Sequence, residues 1–209
     1  MTLRGLYGMV DLPVEAASSE AALSLAGALV EGGARIVQLR VKGADARDLV
    51  AWARALGPWC RARGVTFVVN DRLDVALAAG ADGVHLGQDD LPLAAARPLA
   101  PAGFVIGVST HDEAQARAAL DGGADYIAFG PCFPTSSKRN PDPVVGLERL
   151  ARVCAMASAG AVPVVAIGGI TLDTAADVAR AGASAAAIIR AVNSAPDIAA
   201  AARKVTAVF

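Results

Sequence analysis

Apolar residues in this chain arrive in short runs at near-even intervals, and each run is followed by a stretch with helical spacing. Leu6–Val10 is the first run, and Ser18–Glu31 follows as a helix ended by Gly32-Gly33. The pattern then repeats. Ile36–Arg40 precedes a helix over Ala44–Arg63, with an interruption expected near Gly57-Pro58. Thr66–Asn70, rich in β-branched and aromatic residues, precedes Leu73–Ala79. Gly83–Leu86 precedes Leu91–Leu99, Phe104–Ser109 precedes Asp112–Leu120, and Tyr126–Phe129 precedes Gly146–Ser158. Pro163–Ile167 precedes Asp173–Ala181, and Ala185–Arg190 precedes Pro196–Val208. Eight near-continuous apolar strands alternating with eight helices predict a parallel sheet covered by its crossovers. The favoured form is an α/β single (β/α)8 barrel domain over residues 1–209; an open doubly wound sheet is the alternative.

Composition narrows the function classes. Apolar residues make up 55% of the 209, enough for a sizeable core, and the formal net charge is −1. No basic excess exists to neutralise nucleic-acid or membrane phosphates in bulk, so neither partner is expected. Cys60, Cys132 and Cys154 lack metal-ligand or redox-pair spacing, which points to reduced thiols and a cytoplasmic location. The uncharged stretch Val153–Leu172 is long enough to span a bilayer, but Pro163 and Gly168-Gly169 divide it into a helix end, a turn and a strand.

A barrel collects its chemistry at the C-terminal ends of its strands. The second strand ends with Gln38, Arg40 and Lys42 on one face and Val37, Leu39 and Val41 on the other. Two cations aimed into the mouth call for an anion, whereas a solvated strand end is the bland alternative. The third strand ends at Asn70-Asp71, and the fourth is followed by Gln88-Asp89-Asp90. Neighbouring strands lie about 4.8 Å apart, so Asp71 can meet Asp90, or Asp89, at one rim. Two carboxylates opposite cations suit a Mg²⁺ that keeps waters and bridges to a diphosphate. Asp71 could equally cap the next helix. Ser109 or Thr110 could cap a helix or donate to phosphate, and His85 and His111 read as structural. After the sixth strand comes a long loop with Thr135, Ser136, Ser137 and Lys138, hydroxyl and ammonium donors for a phosphate and a candidate cover over the site. Gly168-Gly169, and Ile189-Arg190 at the eighth strand, fall where such barrels bind phosphate.

The segments QLRVK at 38–42, VNDRLDVAL at 69–77, ADGVHLGQDDLP at 81–92, IGVSTH at 106–111, GPCFPTSSK at 130–138 and VVAIGGI at 164–170 resemble the thiamine-phosphate synthase family, in order, over nearly the whole chain. The resemblance implies a transferase that joins a hydroxymethylpyrimidine diphosphate to a thiazole phosphate and releases pyrophosphate. It implies that Gln38, Arg40, Lys42, Asn70, Ser109 and Lys138 contact the pyrimidine diphosphate, and that Asp71 and Asp90 hold Mg²⁺. It implies that Thr135, Ser137, Gly168, Gly169 and Ile189 hold the thiazole phosphate, with Ser136 in the same loop. Two positions depart from the family's pattern: Ser137 replaces a threonine, and Arg190 replaces a serine, where it either pairs with the thiazole phosphate or crowds its pocket. Competing readings are a thiazole tautomerase on the same barrel and a non-catalytic phosphate-binding barrel. A homodimer is allowed; nothing in the sequence sets the oligomeric state.

Overall fold

The computed structural model describes residues 3–135 and 142–209. Eight parallel strands close into a barrel in strict sequence order. They are β1 Gly5–Asp11, β2 Ile36–Arg40, β3 Thr66–Asn70, β4 Gly83–Leu86, β5 Val105–Thr110, β6 Tyr126–Phe129, β7 Val164–Ile167 and β8 Ala185–Ala187. Among the described residues the α-helices are α1 Ser19–Glu31, α2 Ala46–Arg61, α3 Leu73–Ala79, α4 Leu93–Ala96, α5 Glu113–Asp121, α6 Gly146–Ser158, α7 Ala175–Arg180, α8 Arg190–Asn193 and α9 Ile198–Thr206. The closed barrel excludes the open sheet.

Alternation along each strand divides the core in two. Leu6, Val10, Val37, Leu39, Phe67, Val69, Val84 and Ile106 pack outward against the helices. Tyr7, Met9, Ile36, Val68, Tyr126, Ala128, Val165 and Ala185 fill the barrel. Register ties the inner set together: Met9 lies beside Gln38, Gln38 beside Val68, Asn70 beside His85, His85 beside Gly107, and Gly107 beside Tyr126. The four even-numbered strands are entered alike, by Gly33-Ala34-Arg35, Gly80-Ala81-Asp82, Gly123-Ala124-Asp125 and Gly182-Ala183-Ser184. In each, the glycine takes a left-handed turn and the alanine is buried.

Two expected elements differ. α2 runs unbroken through Gly57-Pro58. Proline removes one backbone donor there, but Leu49, Ala53, Leu56 and Cys60 bury the helix along that face, and packing outweighs a single missing bond. The eighth strand stops at Ala187, not at Arg190; Ile189 already has helical dihedrals and Arg190 opens α8. The apolar run Ile188-Ile189 continues the hydrophobic pattern after the backbone has turned.

Candidate active site

A cavity of about 430 Å³ opens at the C-terminal end of the barrel. It brings together Gln38, Arg40, Asn70, Ser109, Thr135, Gly168, Gly169, Ile189 and Arg190, from six different strand ends and their loops. Nine of the expected contact residues therefore share one space. Ser136, Ser137 and Lys138 lie outside the described residues.

The carboxylates sit at the rim beside this cavity, next to Asn70. Asp71 has a left-handed backbone (φ 63°), uncommon for any residue but glycine and best tolerated by Asn and Asp. Its N–H donates to the His85 carbonyl at 2.8 Å, which ties the end of β3 to β4. The Asp71 side chain does not cap α3, whose cap residue is Arg72 with no side-chain bond. It faces Asp90 instead. Burial, then hydrogen bonding and charge repulsion from Asp90, raise the Asp71 carboxyl from 3.8 to about 6, while Lys42 and Arg40 pull it down. Asp90 also accepts the Gly87 N–H at 2.6 Å, whereas Asp89 is exposed. The geometry thus resolves which acid meets Asp71.

The pair is held close against its own repulsion, with cations near it, which is a donor set that a divalent ion satisfies. Among the described residues no cluster of three or more His, Cys, Asp or Glu side chains is arranged for a metal. Two carboxylates leave room for waters and substrate oxygens, as Mg²⁺ requires.

Arg40 was expected to need an anion from a ligand, but the protein supplies one: its guanidinium pairs with Asp11 at the end of β1, directly beside it in register. Lys42, past the end of β2, is exposed. Ser109 and Thr110 do not cap the next helix; Asp112 does, accepting from Gln115 N–H at 2.8 Å. Thr110 is buried and donates to the Ala128 carbonyl.

On the opposite side, Gly168 and Gly169 have φ of 83° and 69°. A Cβ would stand 2.4 Å from Pro131 at Gly168 and 2.5 Å from the Phe133 and Pro134 carbonyls at Gly169. The pair therefore lets the loops after β6 and β7 press together, and Cys132 and Phe133 donate across to the Ile167 and Gly168 carbonyls.

Sequence reasoning missed the floor of the cavity. Gln38 Nε2 donates to the Tyr7 hydroxyl at 2.8 Å, and the Tyr7 and Tyr126 hydroxyls are 2.6 Å apart. His85 Nδ1 lies 2.9 Å from the Tyr126 hydroxyl, and its Nε2 lies 2.8 Å from Ser109 Oγ. Burial lowers the His85 pKa to about 4, so the ring is neutral. His85 is satisfied, as expected, but it is also part of the cavity wall. The signal available was the chain's two tyrosines, both in strands read as buried, because a buried phenol needs a partner. His111 joins the wall too, with Nδ1 2.6 Å from the Gly130 carbonyl and Nε2 3.4 Å from Asp142.

A closed barrel whose mouth gathers a carboxylate pair, cations and a glycine turn is an enzyme scaffold laid out for phosphorylated substrates. The family model described as thiamine monophosphate synthase matches residues 12–192. A thiamine-phosphate synthase of Methanospirillum hungatei is 47% identical over 96% of this chain and 95% of its own length. That of Methanocella arvoryzae is 50% identical over 88% of this chain and 86% of its own. A solved structure of a thiamine phosphate pyrophosphorylase from Pyrococcus furiosus is 36% identical, covers 99% of this chain and 95% of that one, and superposes with a TM-score of 0.83. The chain belongs to the thiamine-phosphate synthase family.

Proposed function

We propose that this chain is a transferase of thiamine biosynthesis: it condenses 4-amino-2-methyl-5-hydroxymethylpyrimidine diphosphate with 4-methyl-5-hydroxyethylthiazole phosphate, giving thiamine phosphate and pyrophosphate. The observation that carries this reading is the Asp71–Asp90 pair beside Arg40 and Lys42, at the rim of the cavity that also holds Gly168, Gly169 and Arg190. A thiazole tautomerase would bind a thiazole phosphate but needs no such acidic pair, and a mere phosphate-binding barrel needs it even less.

The reaction is a dissociative alkyl transfer. The bond from the pyrimidine methylene to the diphosphate oxygen breaks, the electron pair leaves with pyrophosphate, and the thiazole nitrogen bonds to the methylene cation. That nitrogen carries no proton, so no general base is required. Asp71 and Asp90 would hold Mg²⁺, which when bound neutralises charge on the diphosphate. Arg40, oriented by Asp11, and Lys42 stabilise the negative charge that grows on the leaving group. Lys138 completes that cationic set on the strength of the family resemblance. Gln38, Asn70 and Ser109 orient the pyrimidine, while Thr135, Gly169, Ile189 and the neighbouring Gly168 bound the thiazole phosphate. Ser136 and Ser137 belong to the same acceptor side by sequence. Arg190 stands at that edge as an exposed cation, where it favours a phosphate over a neutral acceptor.

The direct test supplies both substrates with Mg²⁺ and follows thiamine phosphate and pyrophosphate. Equimolar formation of the two is expected. Isomerisation of the thiazole with no pyrophosphate released would make the tautomerase reading correct instead.

A further inference from the structure

Five polar side chains under the cavity form one unbranched hydrogen-bonded line: Gln38, Tyr7, Tyr126, His85 and Ser109. Tyr7 and Gln38 are 2% exposed, Tyr126 0% and His85 8%, so water cannot substitute for a missing partner inside the line. All five line the cavity, but Tyr7, Tyr126 and His85 are engaged on both sides within the line, and its two ends, Gln38 and Ser109, keep hydrogen-bonding capacity for a ligand.

The direction of the line follows from the chemistry of its members. A phenol is a stronger acid than an aliphatic hydroxyl and a poorer acceptor, so His85 Nδ1 takes its bond from Tyr126. Tyr126 must then accept from Tyr7, and Tyr7 accepts from Gln38 Nε2. At the other end the His85 ring proton sits on Nε2 and is donated to Ser109 Oγ. Ser109 is left with a hydroxyl proton to give, and Gln38 with Oε1 to accept.

We propose that Tyr7, Tyr126 and His85 are positioning residues that couple Gln38 and Ser109 into one acceptor-plus-donor pair, selective for a ring bearing an amino group beside a ring nitrogen. The proposal rests on the reading of this cavity as the pyrimidine diphosphate site. The amino group donates to Gln38 Oε1 and the ring nitrogen accepts from the Ser109 hydroxyl. A 4-oxo ring with a protonated ring nitrogen has the opposite pattern. Ser109 can still accept from the ring N–H through its second lone pair, but to meet the 4-oxo group Gln38 must turn its amide over, and every link in the line, the His85 tautomer included, then reverses with it. Sites built on such directed hydrogen bonds reject the mismatched analogue by about 10⁴-fold.

The relay needs space for Tyr126, and the structure provides it at one position. A Cβ on Gly107 would stand 2.0 Å from the Tyr126 ring, so glycine there lets the ring lie across β5 with its hydroxyl between Tyr7 and His85. The Tyr126 and His85 rings are stacked, with centroids 5.5 Å apart.

The experiment compares kcat/KM for the 4-amino and 4-oxo pyrimidine diphosphates in wild type, Tyr126→Phe, Ser109→Ala and the double variant, with folding checked by circular dichroism. Tyr126→Phe is expected to lower the amino-over-oxo preference at least about tenfold and to have little further effect in the Ser109→Ala background. An unchanged preference, or equal effects of Tyr126→Phe with and without Ser109, would overturn the relay. Should Tyr126→Phe fail to fold, Tyr7→Phe takes its place; it frees Gln38 and is expected to show the same loss, and an intact preference there overturns the proposal equally. A wild type that forms no thiamine phosphate would count against the function itself, while an active wild type with an unchanged preference in the variants counts against the relay alone.

Discussion

Both rims of this barrel carry aspartates, and Asp71 and Asp90 at one are treated in the opposite way to Asp82 and Asp125 at the other. At the N-terminal rim, Asp82 accepts the Phe67 N–H at 2.9 Å and faces Arg61, and Asp125 accepts the Ile106 N–H at 2.7 Å and pairs with Arg97. Each carboxylate closes the backbone ladder between adjacent strands and has a cation of its own. At the C-terminal rim, Asp71 faces another acid, on a left-handed backbone, and its carboxyl is pushed up to about 6. Arg40, whose charge acts on it, is already paired with Asp11. One rim uses its carboxylates to hold the barrel shut, and the other sets two of them against each other, the pair proposed above to hold a metal ion. Residue type alone does not separate structural from functional acids; the partners do.

That contrast predicts opposite outcomes for the same substitution. Asp71→Asn should lower thiamine phosphate formation by about a thousandfold, since it removes half of the carboxylate pair proposed for the metal diphosphate. Near-normal turnover would remove Asp71 from the machinery. Asp125→Ala should act on the fold instead. It strips the Ile106 N–H of its acceptor and costs about 1–3 kcal/mol of stability, measured by denaturant unfolding, with turnover per folded molecule retained.

A smaller effect runs against intuition. Asp71 holds its proton more tightly in the folded chain than the ordinary 3.8 would allow. Its ionised form is therefore a cost above about pH 6, and the cost is relieved as the pH falls through 6 toward the unfolded value. Without metal at pH 7.5, Asp71→Asn should be more stable than wild type by about 1 kcal/mol, after discounting the shift for partial solvent exposure. The advantage should be roughly halved at pH 5. Thermal melts at the two pH values check this, and a variant less stable than wild type at pH 7.5 would mean that the pair is not in conflict.

Sequence carried the barrel well because its strands are buried on both faces and read as unbroken apolar runs, each punctuated by glycine. It failed where packing overrode the local rule, as at Pro58 inside α2, and where an apolar run outlasted its strand, as at Ile188-Ile189. The rim residues Gln38, Arg40, Asn70 and Asp71 stand out in the sequence as polar groups at the end of apolar strands, whereas spacing alone left Asp90 level with Asp89 and only the family resemblance chose between them. The floor was not. Tyr7 and Tyr126 are 119 residues apart, and only barrel closure brings their hydroxyls together. Asp11 was overlooked for the same reason: its pairing with Arg40 exists only in the register of β1 with β2.

The claim at the centre of this account is that the paired acids and nearby cations form a site for a metal-bound diphosphate. Calorimetric titration of inorganic pyrophosphate, with and without Mg²⁺, into wild type and Asp71→Asn tests it most directly. Wild type should bind pyrophosphate at least about tenfold more tightly with Mg²⁺, and Asp71→Asn should lose that difference. Equal affinity with and without Mg²⁺ in wild type, or an undiminished Mg²⁺ effect in Asp71→Asn, would contradict it.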